Sequence, residues 1–354
     1  MIEWQVLPTE RFAGHHCLWD ELVRQHGWPP FLQSRFVGAA AAAFLGGTHR
    51  FALATTEGRP VAAAILVRQD SFRWSTFQPS QLPMGAWVAA RDCSTESLAS
   101  SLVRRLPGPA LLLALTQQDP AVSPRPAESA AVDTVDYIST AWIDRRGSFE
   151  EFWEARGKNL KQNLRKQRRK LESESRRLGF EAAVTPERVA AVLREFAAIE
   201  SRGWKAQEGT AIAPDNAQGR FYADALARFA ATGDALACAL RIDDTPVAAD
   251  LCVQDGSSIV ILKTTYDEAY KSLSPGQLLH EETFRHLYER PDLARIEFYG
   301  RVMEWHTRWT EQARNQFHIN VYRWPWVKRL SRLRRSEAAV TASVSEAPAR
   351  SVPP

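Results

Sequence analysis

The pattern of apolar and polar positions repeats once along the chain. Phe44-Leu45-Gly46-Gly47-Thr48, an apolar strand-like run, the turn Glu57-Gly58-Arg59-Pro60 and Val61 to Val67 come back as Phe229 to Asp234, a second such run, Asp243-Asp244-Thr245-Pro246 and Val247 to Val253. Each copy reads as a helix end, a strand, a tight turn and a strand. Two distant copies make a duplicated domain rather than a solenoid, which needs at least three short repeats. Where the first copy has Ala64 the second has Asp250, and only the second is followed by a segment with the character of a phosphate loop. The chemistry is therefore expected in the second half.

Around this repeat the periodicity predicts helices near Trp19 to Gln25 and from Leu32 to Leu45, whose alanine run favours helix. Phe77 to Gly85 is too rich in proline for a helix, Ala110 to Leu115 reads as a strand, and Pro120 to Pro126 as a surface loop between domains. A strand from Asp136 to Ile143 follows. Ser148 and Glu151 then form a capping-box signature ahead of Phe149, Phe152 and Trp153, so Ser148 to Leu178 reads as one long helix or two joined at Gly157. Helices are expected at Pro186 to Ser201 and Gly219 to Ala231. Strands are expected at Ala235 to Ile242, Val247 to Gln254 and Ser258 to Tyr266, with turns short enough to force antiparallel pairing. A helix from Pro275 to Glu289 and strands at Arg295 to Tyr299 and Phe317 to Arg323 complete the unit.

Composition narrows the class. With 354 residues, 45% of them hydrophobic, the chain can build about two cores. Cys17, Cys93, Cys238 and Cys252 have no metal-binding spacing and read as buried free thiols of a reducing compartment. No basic segment followed by an apolar run opens the sequence, and no stretch approaches a membrane span. A cytoplasmic, soluble protein is expected, with no metal. A net charge of +4 directs attention to local basic clusters rather than to a global field.

The segment Lys271-Ser272-Leu273-Ser274-Pro275-Gly276-Gln277-Leu278-Leu279 lies between an apolar strand and a helix. Pro275 suits the first helical turn, Ser274 can cap it, and Gly276 lets a ligand approach the backbone. Free N–H groups there, with Lys271, would hold a pyrophosphate; an ordinary Ser-Pro helix start is the plainer alternative. Helix, antiparallel strands, loop, helix and strand in this order resemble the GNAT acyltransferase fold, whose loop pattern Q/R-x-x-G-x-G/A binds the coenzyme A pyrophosphate. Lys271-x-x-Ser274-x-Gly276 matches it in position, with Lys for the leading Gln/Arg and Ser for the first Gly. Together with Tyr266-Asp267, Phe298-Tyr299-Gly300 and Trp305 to Trp309, the segment resembles the CelD/BcsL-like acetyltransferases, relatives of the tandem-GNAT FemAB aminoacyl transferases, over about Trp4 to Trp324.

The resemblance implies an α+β (mixed α/β) chain of two GNAT-like domains, each a mostly antiparallel twisted sheet flanked by helices. Residues 1–130 would be a degenerate, acceptor-side domain and 131–330 the catalytic one, followed by a basic and then disordered tail at 331–354. It also implies acetyl-CoA or another acyl-CoA as co-substrate, held by Lys271, Ser274, Pro275, Gly276, Gln277 and Leu278. Acyl transfer needs a base, an oxyanion donor and an acid for the thiolate. Asp250 is the first candidate base, or else a structural partner of a neighbouring loop. Tyr266 at the strand end is the candidate acid, or a packed tyrosine. Glu304, His306 and Arg308, with Trp305, belong to an aromatic, charged loop placed to close over an acceptor, although a histidine between tryptophans is often simply packed. No hydrolase elbow competes.

Ten cations between Arg156 and Arg177 cover more than one helical face. They read as a solvated surface or as an anion site using Lys158, Asn159, Arg165 and Arg169 for donor phosphates, a lipid-linked glycan or RNA. Trp204-Lys205 is a second place to frame a sugar or phosphate. Trp324 to Leu330, followed by Arg332, Arg334 and Arg335, mixes aromatic and basic groups as membrane-surface segments do, or else packs its tryptophans in the core. The function expected is acyl-CoA-dependent N- or O-acyl transfer to a small-molecule, saccharide or lipid-linked envelope or exopolysaccharide precursor, with peripheral contact to the inner membrane allowed. Two alternatives stand: a FemAB-like transferase using aminoacyl-tRNA, the only case in which nucleic acid is expected as a partner, and a non-catalytic binder of nucleic acid or anionic membrane. The oligomeric state is not written in the sequence.

Overall fold

Glu57 and Gly58 have φ of 53° and 74°, and their counterparts Asp243 and Asp244 have 51° and 69°. Both repeats therefore turn through two left-handed residues, the hairpin geometry that matches strand twist. The second copy does this without glycine. Aspartate tolerates this region better than most residues, and here Arg176 binds the Asp243 carboxylate at 2.7 Å while Arg177 binds that of Asp244 at 2.7 Å. Two cations of the basic run are thus clamps on a turn.

The computed structural model describes residues 1–203 and 211–333. Trp204 and Lys205 lie outside the described residues, as do residues 334–354. The strands are β1 (Ile2–Leu7), β2 (His49–Thr56), β3 (Arg59–Arg68), β4 (Arg73–Thr76), β5 (Trp87–Ala89), β6 (Leu112–Gln118), β7 (Val132–Asp144), β8 (Leu178–Ala183), β9 (Ala235–Ile242), β10 (Thr245–Asp255), β11 (Ser258–Tyr266), β12 (Arg295–Glu297) and β13 (Ala313–Tyr322). The helices are α1 (His16–His26), α2 (Ser34–Phe44), α3 (Thr95–Val103), α4 (Phe149–Glu154), α5 (Lys158–Ser173), α6 (Pro186–Arg202), α7 (Ala217–Ala230), α8 (Pro275–Tyr288), α9 (Glu304–Thr307) and α10 (325–333). The capping box at Ser148 is present, and the long segment resolves into two helices joined at Gly157.

One sheet runs β1-β2-β3-β4-β6-β13-β7-β12-β11-β10-β9-β8, with β5 beside β3. Read from either end the pairing is the same: three antiparallel contacts, one parallel (β4 with β6, β11 with β12), then antiparallel to the centre. The strand that follows each parallel partner is exchanged. β7 follows β6 in sequence but pairs with β12, whereas β13 follows β12 and pairs with β6. At this seam half-buried Arg314 of β13 binds Asp119 at 2.8 and 2.6 Å and Glu297 at 2.9 Å, joining the two halves through an ion-paired guanidinium.

The cores follow faces rather than halves. One cluster runs from Trp4 through Phe36 and Phe229 to Val321, and a second lies between the other face of β9 to β12 and helices α4, α5 and α8. The alanine-rich α2 packs closely on α7, with Phe36 edge-on to Phe221 at 5.1 Å, and Arg35 pairs with Asp234 at 2.7 Å. Cys238 and Cys252 are buried free thiols as expected, but Cys17 is exposed and Cys93 half-buried. Those two lie outside the apolar strands. Among the described residues no helix is long and apolar enough to cross a membrane.

Candidate active site

Of the nine residues of β11, only Ser258, Ile259 and Val260 have a parallel partner in β12. Beyond Glu297 the neighbouring chain leaves the sheet and the two backbones fork. The fork opens into a cavity of about 670 Å³ lined by Ile261 to Thr264 and Tyr266 on one side, by Lys271 and Ser274 to Gln277 at its end, and by Phe298, Gly300 and residues 303–306 and 308 on the other. Sequence reasoning grouped Tyr266, Lys271, Ser274, Pro275, Gly276, Gln277, Glu304, Trp305, His306 and Arg308, and all ten line it.

The loop is built around Ser274, at φ 54° and ψ 50°. A left-handed L-residue costs about 1–2 kcal/mol, which explains why the resembling pattern carries Gly here. The expected side-chain cap is absent. Instead the Ser274 carbonyl accepts from the N–H groups of Gln277 (3.0 Å) and Leu278 (3.1 Å), while its Oγ accepts from Asn163 Nδ2 at 3.1 Å. Pro275 occupies the first turn of α8, where it needs no N–H partner. A Cβ on Gly276 would meet only Tyr266 Cδ1, at 3.6 Å, so the backbone faces open space. Leu278 does not join the site: it is fully buried in the core.

Asp250 is also fully buried and does not line the cavity, so it cannot touch a substrate. Its carboxylate accepts from Thr264 Oγ1 at 2.7 Å and Thr283 Oγ1 at 3.3 Å, and lies 3.6 Å from His280 Nε2. His280, which sequence reasoning missed, does line the cavity. It is 2% exposed, stacks beneath Trp305 at 4.7 Å, and neither ring nitrogen has a hydrogen-bond partner among the described residues. Its signal was available, since it lies one helical turn after Gly276 on the same face of α8. His306 stacks on Trp305 at 3.5 Å and accepts the Met303 N–H at Nδ1, 2.9 Å away. Burial, and then the neighbouring His280, hold its pKa down to about 4. A neutral ring whose Nδ1 is already occupied shapes the loop and is not free to act as a base. Glu304 is exposed and pairs with Arg308 at 2.7 Å.

Residues 158–307 match the family model described as Acetyltransferase (GNAT) domain. That segment is similar to GNAT acetyltransferase domains. Among solved structures, FemX is similar over 90% of this chain and 98% of its own, at 9% identity and a TM-score of 0.56. A conserved protein of unknown function from Bacteroides thetaiotaomicron VPI-5482 is similar over 91% and 100%, at 9% identity and a TM-score of 0.55. A tandem GNAT protein from the clavulanic acid biosynthesis pathway covers 90% of this chain and 98% of its own, at 12% identity and a TM-score of 0.45. No curated protein matches. The fold as a whole is a GNAT-type mixed sheet flanked by helices.

Within the matched segment the basic helix α5 stands apart from the cavity. Leu160, Leu164, Gln167 and Leu171 face inward. Lys161 pairs with Glu154, and Arg168 pairs with Glu281 and Glu282. Lys158, Arg165 and Arg169 recur at i, i+7 and i+11 on the exposed side, without an ion pair among the described residues. Asn159 is exposed at the same end, whereas Asn163, not singled out from the sequence, is the residue that reaches the GNAT loop. Among the described residues no group of three or more His, Cys, Asp or Glu is placed to hold a metal ion.

Proposed function

We propose that the protein transfers an acyl group from acyl-CoA to an amine or hydroxyl of a saccharide or cell-envelope precursor, in the forked cleft between β11 and residues 298–308. The observation that carries this reading is the open fork ending on Gly276, where a helix start with no side chain in the way meets a cavity about 670 Å³ in volume. Lys271 and the Gly276 N–H would hold the pyrophosphate, and the unpaired edge of β11 the pantetheine arm. As the acceptor attacks, its N–H or O–H proton passes to His280, whose Nε2 lies 3.6 Å from the Asp250 carboxylate. The carbon–sulfur bond breaks, and Tyr266, 41% exposed at the mouth, protonates the thiolate. The first half, through the strands exchanged at the seam, completes the acceptor side; residues 1–130 and 131–330 are our division of these roles. The unpaired cations of α5 favour aminoacyl-tRNA as the alternative donor.

Thermal shift against acetyl-CoA, longer acyl-CoAs and bulk tRNA separates the donors, since a ligand of the native state raises its melting temperature. Acyl-CoA is expected to do so, and stabilisation by tRNA alone would favour the alternative. Gly276→Trp fills the cleft from a helix position that tolerates a side chain. It is expected to lower CoA affinity by about a hundredfold or more, roughly 2.7 kcal/mol, with an unchanged circular dichroism spectrum. Calorimetry that finds wild-type affinity in this variant removes the proposal.

A further inference from the structure

Helix α10 is amphipathic in the inverted sense. Lys328, 5% exposed, donates to the carbonyls of Ser129 (2.7 Å) and Val132, and Arg332 pairs with Glu128 at 2.7 Å and Asp133 at 3.1 Å. Ser331 receives the Tyr322 hydroxyl at 3.5 Å. These positions, i, i+3 and i+4, fasten the helix to the body of the protein by its polar face. Trp326, Leu330 and Leu333, at i, i+4 and i+7, lie on the opposite face and are 52%, 51% and 61% exposed. Trp324, 42% exposed, stacks on Trp326 with ring centroids 5.8 Å apart and planes 11° from parallel, and Arg323 lies over it. A helix that spends its charged groups on anchoring and presents its apolar groups to the outside has an apolar occupant for that face.

We infer that α10 is a membrane-surface anchor that inserts Trp324, Trp326, Leu330 and Leu333 into an anionic bilayer interface. Charge decides the occupant. No Asp or Glu occurs between Glu311 and Glu337, while Arg323 and Arg329 flank the stripe and Arg334 and Arg335 follow it in sequence. Tryptophan and leucine on one face with arginines beside them is the composition of a helix that lies in the headgroup region, buried on the order of 5–10 Å. A short stripe of four large side chains on a convex helix suits that shallow depth. The inference is independent of the acyl-transfer reading.

The test is co-sedimentation of the full chain with phosphatidylcholine vesicles, with and without phosphatidylglycerol. Binding is expected only with the anionic lipid, accompanied by a blue shift of tryptophan emission and weakened by salt. The triple variant Trp324→Ala/Trp326→Ala/Leu330→Ala is expected to lose about tenfold or more in vesicle partitioning while keeping its melting temperature and its thermal shift with acetyl-CoA. Absence of wild-type binding, or equal binding by the triple variant, overturns the inference. So does a wild-type protein that dimerises in solution where the triple variant is monomeric, because the occupant is then a second copy.

Discussion

The two halves of the sheet follow one plan, and only one of them opens. In the second half β11 is a single strand with a bulge at Leu262, Thr264 standing opposite Asp250 and Ile261 opposite Cys252. The first half spreads the same work over two pieces: β4 pairs with the end of β3, and β5 pairs with Ala62 to Ala64 after an excursion through residues 77–86. That excursion closes the fork. Thr76 Oγ1 meets Thr116 Oγ1 at 2.7 Å, the Gly85 N–H donates to the Thr116 carbonyl at 3.0 Å, and a Cβ on Gly85 would lie 2.1 Å from Thr76 Oγ1. Across from the key position, Trp87 stands opposite Ala64 where Thr264 stands opposite Asp250. A duplicated fold thus keeps one packed fork and one open fork, with a buried carboxylate behind the wall of the open one.

The most severe way to break this comparison is Ala64→Asp, which puts the second half's residue into the first. Ala64 is fully buried, with Ala52 and Trp87 as its cross-strand neighbours. An uncompensated buried charge costs about 3–5 kcal/mol. Chemical denaturation should register this loss, or the variant should not fold. A stable Ala64→Asp protein would mean that the two environments are not different.

The open half also carries a pH signature beside its cleft. The native pKa of His306 is depressed to about 4 by burial and then by His280, against 6.5 for the free side chain. Between these values the unfolded chain binds more protons, so this contribution is complete above about pH 6.5 and is lost as pH falls toward 4. The size is about 2–4 kcal/mol. His306→Asn retains an acceptor for the Met303 N–H, and the difference in unfolding free energy between wild type and variant should shrink over that window. A difference that is flat with pH would show that His306 does not titrate in the loop.

What the sequence could reveal of this was mostly local. The hairpin turns, the Ser148 box, the Pro275 helix start and the grouping of Tyr266, Lys271, Gly276 and the 304–308 loop all follow from neighbouring residues, and these features are present. The exchange of β7 and β13 escaped because strand partners far apart in sequence leave no periodic mark. The edge strands β1 and β8 and helix α3 are short, and no element was assigned to them. Asp250 was singled out for the right asymmetry, but burial on both faces of β10 is a tertiary property, so its placement behind His280 was hidden. Arg176 and Arg177 looked like part of an anion surface until the fold brought them to the acidic turn.

That placement sharpens the comparison at a smaller scale. If Asp250 acts through His280, Asp250→Asn keeps the Thr264 and Thr283 bonds and the CoA thermal shift, and lowers kcat for thiol release from acetyl-CoA by about tenfold, equivalent to roughly 1.4 kcal/mol. KM for the donor should stay constant. A structural role would instead lower the melting temperature and leave kcat at its wild-type value, returning attention to Glu304.

The smallest effect is expected on α5, where the second half has cations outside its cleft. Lys158, Arg165 and Arg169 form one exposed stripe, whereas the fastened cations Lys161, Arg168, Arg176 and Arg177 already have carboxylate partners. If the stripe meets an anionic substrate, replacing all three by Gln raises KM by a few-fold and flattens its dependence on ionic strength, because exposed charges act through a screened field. Since none of the three lines the cavity, kcat should not change. A wild-type salt response in the triple variant would make α5 a solvated wall whose contribution to the site is Asn163 alone, the residue that fixes Ser274 in the strained turn at the mouth of the open fork.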